Sequence, residues 1–362
     1  MKLEWSVRDA SQQDVSRIYD LATASFGSDP NSIPLNFSYG HLEWLFLQNP
    51  AGHFKACVAH VGEKLVGFYG VLPMRLYYCS KEIDGSLSML TMTHPDYRRQ
   101  GMFQVLASQL YRELEERGTI LTYGFPNENS LPGFVSKLEW KHIGTLDLYV
   151  RPLRTTAIIQ KFVNARWVSS AINTLSRPAL SIMSAGKEKD FRIRGVKQLD
   201  SRANTLMVAR RDKFRVQQIR DSAYLNWRYA TCPDWKYHIT IAENADELLG
   251  YLVLRIVQHA GFSGGMIMDL SIQPGRMDVA LALVRGALVS SDEGGMDLVA
   301  CLANVDRDIM QALRRHWFVR VPKRFGLKNW YFGARLNGGH LLPTIVNDPQ
   351  SWFLTFGDDD VL

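Results

Sequence analysis

The stretch Thr93-His94-Pro95-Asp96-Tyr97-Arg98-Arg99-Gln100-Gly101-Met102-Phe103 lies between a predicted strand and a predicted amphipathic helix. A turn with a glycine just before a helix leaves several backbone N–H groups free at the positive end of the helix dipole. Arg98 and Arg99 add positive charge, and a side chain at Gly101 would block the close approach of a phosphate. The stretch therefore predicts a pyrophosphate site.

The flanking segments predict an α/β domain. A strand over 86–93 precedes the turn, and apolar residues at Phe103, Leu106, Leu110 and Leu114 predict a helix of about 15 residues after it. Ser11 with Asp14 three residues later is typical of a helix N-terminus. The further elements predicted are strands at 5–8, 54–61, 64–72 and 119–125, and helices at 12–25, before Asn49-Pro50, and at 130–138.

The chain contains an internal repeat. Residues 42–68 align with residues 225–251 without a gap, and six of the aligned residues are identical. The identical pairs are Leu42/Leu225, Trp44/Trp227, Pro50/Pro233, Ala59/Ala242, Leu65/Leu248 and Gly67/Gly250. Farther along, the equivalent pairs are Pro95/Pro274, Asn127/Asn304 and Trp140/Trp317. One fold is therefore expected twice, the second copy from about Phe191 to Leu336.

The second copy has a different turn. It reads Ile272-Gln273-Pro274-Gly275-Arg276-Met277-Asp278-Val279-Ala280, without the arginine pair. Ala280 aligns with Gly101, and Asp278 would repel a phosphate. We expect the second copy to have lost the binding site and to form one wall of an acceptor pocket between the halves.

The first copy resembles the GCN5-related N-acetyltransferase (GNAT) superfamily, whose signature is Arg/Gln-x-x-Gly-x-Gly/Ala. Arg98, Gly101 and Phe103 occupy the three signature positions, and Phe103 departs from the small residue usual there. The resemblance covers residues 1–150, and the repeat extends the fold to about 336. The arrangement of two copies in one chain resembles the tandem architecture of mycothiol synthase-like, Eis-like and Fem-type transferases. This implies two domains, each a mixed, mostly antiparallel sheet flanked by helices.

The resemblance also implies acetyl-CoA as co-substrate, no metal and no covalent enzyme intermediate. Its pyrophosphate would lie on the backbone from Arg99 to Phe103, its thioester beside the strand that ends at Thr93, and its arm near Asn127 or Asn129. For these two residues, capping of the following helix is an equal alternative. The implied cofactor-binding residues are Met92, Thr93, Arg98, Arg99, Gln100, Gly101, Met102, Phe103, Asn127 and Asn129.

Several residues are candidates for the transfer of protons. Where the family usually has a tyrosine acid, this chain has Phe134 and Val135, so Tyr123 and Tyr97 are substitutes by proximity only. An amine acceptor must lose a proton before it attacks, and the candidates for the base are His94, Glu128 and the acidic triplet 358–360.

The C-terminal tail supplies that triplet. Its aromatic residues from Trp352 to Phe356 predict docking between the two copies, which would bring Asp358 or Asp360 towards the acceptor. The alternative is that the aromatic residues only seal the interface and the carboxylates are solvated.

The distribution of charge along the chain bears on its partners and on whether it spans a membrane. The 362-residue chain carries a net charge of +6, but residues 151–220 hold 16 Lys or Arg against 4 Asp or Glu. This excess predicts an anionic neighbour, either membrane headgroups, a phosphorylated substrate or nucleic acid, unless it is a solvated linker. Residues 155–184 read as an interdomain helix or, alternatively, as an interfacial membrane helix. No charge-free run exceeds 13 residues, so no membrane-spanning helix is expected.

These observations predict four regions: a GNAT domain at 1–150, a basic linker at 151–190, a degenerate copy at 191–336 and a docking tail at 337–362. The predicted function is cytoplasmic acetyl-CoA-dependent N-acetylation of a small-molecule amine, with an amino sugar or glycan precursor of polysaccharide biosynthesis as the leading acceptor. The alternatives are a Fem-like transferase that uses aminoacyl-tRNA and a non-catalytic module that senses CoA. Nucleic acid is the less favoured partner, because the turn suits CoA better than tRNA.

Overall fold

The computed structural model describes residues 4–26, 37–154, 190–259, 262–322, 328–338 and 342–359. Its strands are β1 (Ser6–Asp9), β2 (Lys55–Val61), β3 (Lys64–Tyr78), β4 (Lys81–Thr93), β5 (Leu121–Gly124), β6 (Lys141–Leu146), β7 (Leu148–Pro152), β8 (Arg192–Val196), β9 (Val216–Gln218), β10 (Tyr237–Glu243), β11 (Leu248–His259), β12 (Phe262–Ile272), β13 (Leu298–Leu302), β14 (Val319–Arg320), β15 (Trp330–Leu336) and β16 (Trp352–Phe353). Its helices are α1 (Val15–Phe26), α2 (Tyr39–Leu47), α3 (Met102–Glu116), α4 (Leu131–Lys137), α5 (Arg202–Arg210), α6 (Ser222–Leu225), α7 (Met277–Glu293), α8 (Arg307–Arg315) and α9 (Pro343–Val346).

The strands form two mixed sheets, and helices flank both, which confirms the predicted fold class. The first sheet has the order β1-β2-β3-β4-β5-β15-β6, with β9 and β16 attached to the far end of β3. The second has the order β14-β7-β13-β12-β11-β10-β8. In each sheet one central pair is parallel, β4 with β5 and β12 with β13, and the other neighbours along these two paths are antiparallel.

The two halves exchange strands: besides β9, which pairs with β3, one strand of each half lies inside the sheet of the other. β15, from the second half, lies between β5 and β6 of the first sheet, and β7, from the first half, lies between β13 and β14 of the second. Gly333 lets β15 pass Trp140, because a Cβ on Gly333 would lie 3.2 Å from that indole ring and 3.0 Å from the carbonyl oxygen of Lys141. Both sheets therefore cross the linear boundaries predicted at residues 150 and 191, and those boundaries stay a prediction.

The local signals around the turn are confirmed. Ser11 and Asp14 form a capping box before α1, and α3 has the 15 residues expected from its apolar spacing. The hairpin of β3 and β4 is longer than predicted, because Tyr78 pairs with Lys81 and β9 pairs with the protruding end of β3.

The repeat is visible in three dimensions. Ser38 caps α2 by accepting the N–H of His41, and Asp221 caps α6 by accepting the N–H of Tyr224, both at the repeat offset. The equivalent residues Trp44 and Trp227 stack on each other with ring centroids 5.1 Å apart. Contact between equivalent residues is the mark of a twofold arrangement, so the halves pack as a pseudo-dimer.

One repeat pairing was wrong. Glu139 and Trp317 share a left-handed backbone, with φ of 60° and 63°, and the residues that follow them, Trp140 and Phe318, are both buried. Trp140 is therefore equivalent to Phe318, while Trp317 is 62% exposed.

The two faces of the first sheet have different surroundings. α3 and α4 cover one face over a core that includes Tyr69, Leu110 and Trp140. α1 and α2 cover the other face, whose core continues into the second half through Trp44, Trp227 and neighbouring residues. The α1–α2 face is therefore the interface between the halves. The predicted helix at 155–184 and Asp360 lie outside the described residues, and no helix within the described residues is long and apolar enough to cross a bilayer.

Candidate functional site

The turn before α3 is shaped to bind an anion. Arg99 and Gly101 have left-handed backbones, with φ of 63° and 78°. The five N–H groups from Arg99 to Phe103 find no hydrogen-bond acceptor among the described residues. A Cβ on Gly101 would meet nothing within 4 Å, so the turn faces open space. Free amides at the amino end of a 15-residue helix favour a phosphate there.

The side chains of the turn differ in their contacts and in their exposure. The Arg98 guanidinium donates to the carbonyl oxygen of Ser25 at 3.3 Å and so holds α1, whereas Arg99 is exposed beside the free amides. The side-chain amide oxygen Oε1 of Gln100 is buried and has no hydrogen-bond partner among the described residues. Met102 is buried under Gly67, and Phe103 packs edge-on against Phe134 with ring centroids 5.1 Å apart. The backbone and Arg99 therefore present the anion-binding surface.

A gap opens between β4 and β5 next to this turn. β4 pairs with β5 only over Gly85–Leu87, whereas it pairs with β3 up to Thr93. Leu90 has a φ of 46° within a register shift of the hairpin, which bends the strand away. Met92 is buried in the core on the α1–α2 face, and Thr93 pairs with Gly67. The open edge from Ser88 onward can receive an extended ligand.

Of the two asparagines after β5, Asn127 caps a helix. The Asn127 side-chain oxygen accepts the N–H groups of Asn129 and Ser130 at 3.0 and 2.9 Å, and its carbonyl oxygen accepts the N–H of Leu131 in α4. Asn129 itself is exposed. The geometry supports the capping alternative for Asn127, and a contact of either residue with the CoA arm stays a prediction.

The second half fills the equivalent turn with its own groups. The N–H of Gly275 donates to the Asp308 carboxylate at 3.2 Å, and the Arg276 guanidinium pairs with Asp278 at 2.7 Å. Only residues 273–276 separate β12 from α7, whereas 94–101 separate β4 from α3. Arg276, not Ala280, therefore corresponds to Gly101. Ala280 is fully buried inside α7.

Asp308 was missed by the sequence analysis. It lies on α8, 33 residues after Gly275, and no motif links the two positions. The one available signal was an acidic residue at the start of a predicted helix, which is common for reasons of capping alone.

The C-terminal tail is docked against both halves. β16 pairs with β9, and Leu354 forms an isolated bridge with Asn304 of the second half. Trp352 packs against Phe332 with ring centroids 4.8 Å apart, and Phe356 packs against Trp330 at 5.6 Å. These residues fill the seam between the halves.

The tail also buries a carboxylate. Asp358 accepts hydrogen bonds from Arg220 at 2.6 Å and from the N–H of Thr355 at 2.7 Å, and the same guanidinium pairs with Asp269 at 2.9 Å. Burial raises the pKa of Asp358, while Arg220 opposes this effect. Asp358 is therefore a buried counter-ion for Arg220, and its role as a base stays a prediction.

Tyr123 and Glu128, two further candidates for proton transfer, are held by different neighbours. Tyr123 is buried beside Trp352, its hydroxyl has no partner among the described residues, and burial raises its pKa well above the usual value. Glu128 is held from the second half, since it accepts from Asn329 at 2.8 Å and from Tyr331 at 3.3 Å. Of these groups, Tyr123 and Asp358 are near enough to interact, since the charge of Asp358 adds to the rise of the Tyr123 pKa.

Comparison with known proteins now identifies the first half. The model of the acetyltransferase (GNAT) domain family matches residues 6–143. These residues form a GNAT domain. They contain the turn and the gap described above, and a domain of this family supports an acyltransferase that works with an acyl-CoA. No curated protein matches the chain.

Solved structures share the fold over almost the whole chain. A probable N-acyltransferase of unknown function from Enterococcus faecalis V583 is 14% identical with a TM-score of 0.63, over 92% of this chain and 73% of that one. A GCN5-related N-acetyltransferase from Anabaena variabilis is 12% identical with a TM-score of 0.62, over the same shares.

The N-myristoyltransferase of Saccharomyces cerevisiae with bound myristoyl-CoA is 13% identical with a TM-score of 0.60, over 93% of this chain and 84% of that one. At such identities these likenesses show the fold alone. Because they span both halves, they confirm the two-copy architecture. In the described part of the chain, no three His, Cys, Asp or Glu side chains lie together as metal ligands.

Proposed function

We propose that this protein transfers an acetyl group from acetyl-CoA directly to the amine of a small molecule, within the first half only. The observation that carries the proposal is the turn of five free N–H groups from Arg99 to Phe103, beside the open edge of β4. The equivalent turn of the second half is closed by Asp308 and neutralised by Asp278.

The residues present fit the co-substrate. The backbone of 99–103 would hold the pyrophosphate with Arg99, and the unpaired edge of β4 from Ser88 to Thr93 would hold the extended arm. When bound, the thioester supplies the activated acyl group. The amine would approach from the opposite, α1–α2 face, where the second half packs against the first.

We assign the acceptor to amino sugars, as free, nucleotide-linked or lipid-linked glycan precursors. Two features support this class. Aromatic residues are 11% of the chain and suit stacking on sugar rings, and the excess of cations in residues 151–220 suits a phosphorylated carrier.

A thiol-release assay with acetyl-CoA over a panel of amines tests the proposal. We expect release of CoA with amino sugars or their nucleotide-linked forms and none with tRNA as the acyl source. Turnover with aminoacyl-tRNA instead would favour the Fem-like alternative. Tight CoA binding without turnover of any amine would favour the sensing module, and absence of CoA binding would contradict the proposal.

A second proposal is peripheral contact with an anionic membrane. Trp317 is 62% exposed, and its neighbours in the chain Arg314, Arg315 and Arg320 are exposed as well. Exposed tryptophan beside cations favours an anionic lipid surface. Sedimentation with anionic vesicles should fall as salt rises from about 50 to about 300 mM, and Trp317→Ser should weaken it. No sedimentation at low salt would contradict this contact.

A further inference from the structure

A buried chain of hydrogen bonds runs across the α3–α4 face of the first sheet. The Trp140 indole N–H donates to the Tyr111 hydroxyl at 2.7 Å. The Tyr111 and Tyr69 hydroxyl oxygens lie 2.5 Å apart, and the Tyr69 hydroxyl lies 2.9 Å from the Ser88 hydroxyl. The chain thus links α3, β3 and β4 and ends at Ser88. No sequence motif joins its members.

The direction of this chain follows from its first member. An indole N–H can only donate, so the Tyr111 oxygen accepts from Trp140. The Tyr111 hydrogen then has one acceptor among the described residues, Tyr69, and the Tyr69 hydrogen has Ser88. Any other arrangement leaves a tyrosine hydrogen buried without a partner, which costs free energy. The Ser88 hydrogen is therefore the one left to donate outward.

The tyrosines stay protonated. Burial raises the pKa of Tyr69 to about 12 and the pKa of Tyr111 well above its usual value. The Arg335 guanidinium, from the exchanged strand β15, lies 4.4 Å above the Tyr111 ring and opposes that rise. Both hydroxyls are therefore neutral donors at physiological pH, and the second half helps to hold the chain.

Ser88 lies where the gap between β4 and β5 begins. Leu87 forms the last pair with β5, and Ser88 is the next residue. It is 8% exposed, against 0% for Tyr69 and 2% for Tyr111, so it is the accessible end of the chain. On the neighbouring strand stands Gly124, where a Cβ would lie 3.4 Å from the Ser88 Cβ. α4 on the same face presents Phe134 and Val135, which carry no side-chain polar atom.

We propose that the Ser88 hydroxyl donates a hydrogen bond to the CoA sulfur as it leaves. The inference rests on the proposed function. The amine nitrogen bonds to the thioester carbon, the C–S bond breaks, and sulfur departs with the electron pair as a thiolate. The proton lost by the amine goes to solvent, and the released thiolate later takes its proton from solvent. Ser88, oriented by Tyr69, stabilises the negative charge between these events.

Binding of CoA and of desulfo-CoA, which lacks the sulfur, tests this role across pH. Wild type should bind CoA more tightly as pH rises, with the bound thiol ionising at lower pH than free CoA. Ser88→Ala should weaken CoA at high pH by about tenfold or more, as expected for a bond to a charged group, and leave desulfo-CoA unchanged. Its kcat should fall about 100-fold.

Ser86→Ala is the matched control. Ser86 lies on the same strand and is buried, but its hydroxyl bonds to Thr122 at 2.8 Å inside the paired region. It should lower neither kcat nor CoA affinity. Tyr69→Phe removes the donor to Ser88 together with the acceptor of the Tyr111 hydrogen, and leaves Ser88 itself in place. It should lower kcat about tenfold with desulfo-CoA affinity intact, which provides a second reading if Ser88→Ala fails to fold.

Equal losses of CoA and desulfo-CoA affinity in Ser88→Ala, or an unchanged kcat in both Ser88→Ala and Tyr69→Phe, would overturn the inference while CoA binding still supports the proposed function. Failure of wild type to bind either compound would contradict the proposed function and the inference together.

Discussion

The two equivalent turns of this molecule differ in length and in what meets their amides. In the first half, residues 94–101 join strand to helix, and the N–H groups from Arg99 to Phe103 are unpartnered within the described chain. In the second, residues 273–276 make the same connection, and Asp308 accepts from Gly275. A shorter loop and one carboxylate thus distinguish a closed turn from a turn with free amides on one fold.

The second half nevertheless contributes to the first. Its strand β15 completes the first sheet and carries Arg335 to the ring of Tyr111, and its Asn329 and Tyr331 hold Glu128. The second half therefore supports the elements that carry the site proposed for the first half.

The largest expected effect comes from separating the halves. Residues 1–154 expressed alone lack β15, so β5 and β6 lose the strand between them and the core beneath Trp140 is exposed. We expect no cooperative thermal transition for this fragment by circular dichroism. Mixing it with residues 190–362 should restore one transition. A cooperative melt of 1–154 alone would show that the strand exchange is dispensable.

Protonation of His41 at acid pH should destabilise the interface between the halves, whereas the repeat equivalent of His41 should have no such effect. Burial lowers the pKa of His41 to about 4, and its ring lies against Trp235 with ring centroids 4.4 Å apart. Asp234 opposes this lowering, whereas Arg228 and Arg255 add to it. Its repeat equivalent, Tyr224, does not titrate in this range. Because the unfolded pKa is 6.5, His41 destabilises the fold as pH falls from about 6.5 to 4.

The difference between the unfolded pKa of 6.5 and the folded pKa of about 4 corresponds to roughly 3 kcal/mol in the free energy of unfolding. Urea unfolding at pH 7 and pH 4.5 should show part of this loss in wild type and in Tyr224→Phe, but not in His41→Phe. Equal acid losses in wild type and His41→Phe would assign the effect to other groups.

A substitution in the C-terminal tail should have a smaller effect, and it distinguishes a structural from a catalytic role of Asp358. Asp358→Asn removes one of two carboxylates that pair with the buried Arg220, and Asp269 remains. We expect a loss of about 2 kcal/mol of stability, below the 3–5 kcal/mol for a lone buried pair. Turnover per folded molecule should stay near wild type if Asp358 is only a counter-ion. A fall of about 100-fold with unchanged acetyl-CoA affinity would establish the predicted catalytic role.

Sequence predicted those features that local signals determine. Three such signals lie within a few residues of the structures that they determine: the capping pair Ser11 and Asp14, the apolar spacing of α3, and the glycine turn. The strand exchange is not determined by such local signals, since it depends on packing between residues far apart in the sequence, such as Trp140 and Gly333. The closure of the second turn by Asp308 and the chain from Trp140 to Ser88 depend on tertiary contacts in the same way.

The central claim is that one turn of the two binds the co-substrate, and calorimetric titration with acetyl-CoA tests it most directly. Gly101 and Gly275 are matched, because both have left-handed backbones, with φ of 78° and 83°, and both face open space. We expect one site per chain in wild type. Gly101→Asp should weaken binding by at least about 30-fold, equivalent to about 2 kcal/mol for an uncompensated charge, and Gly275→Asp should leave it unchanged. Two sites per chain, or equal losses from both variants, would contradict the account.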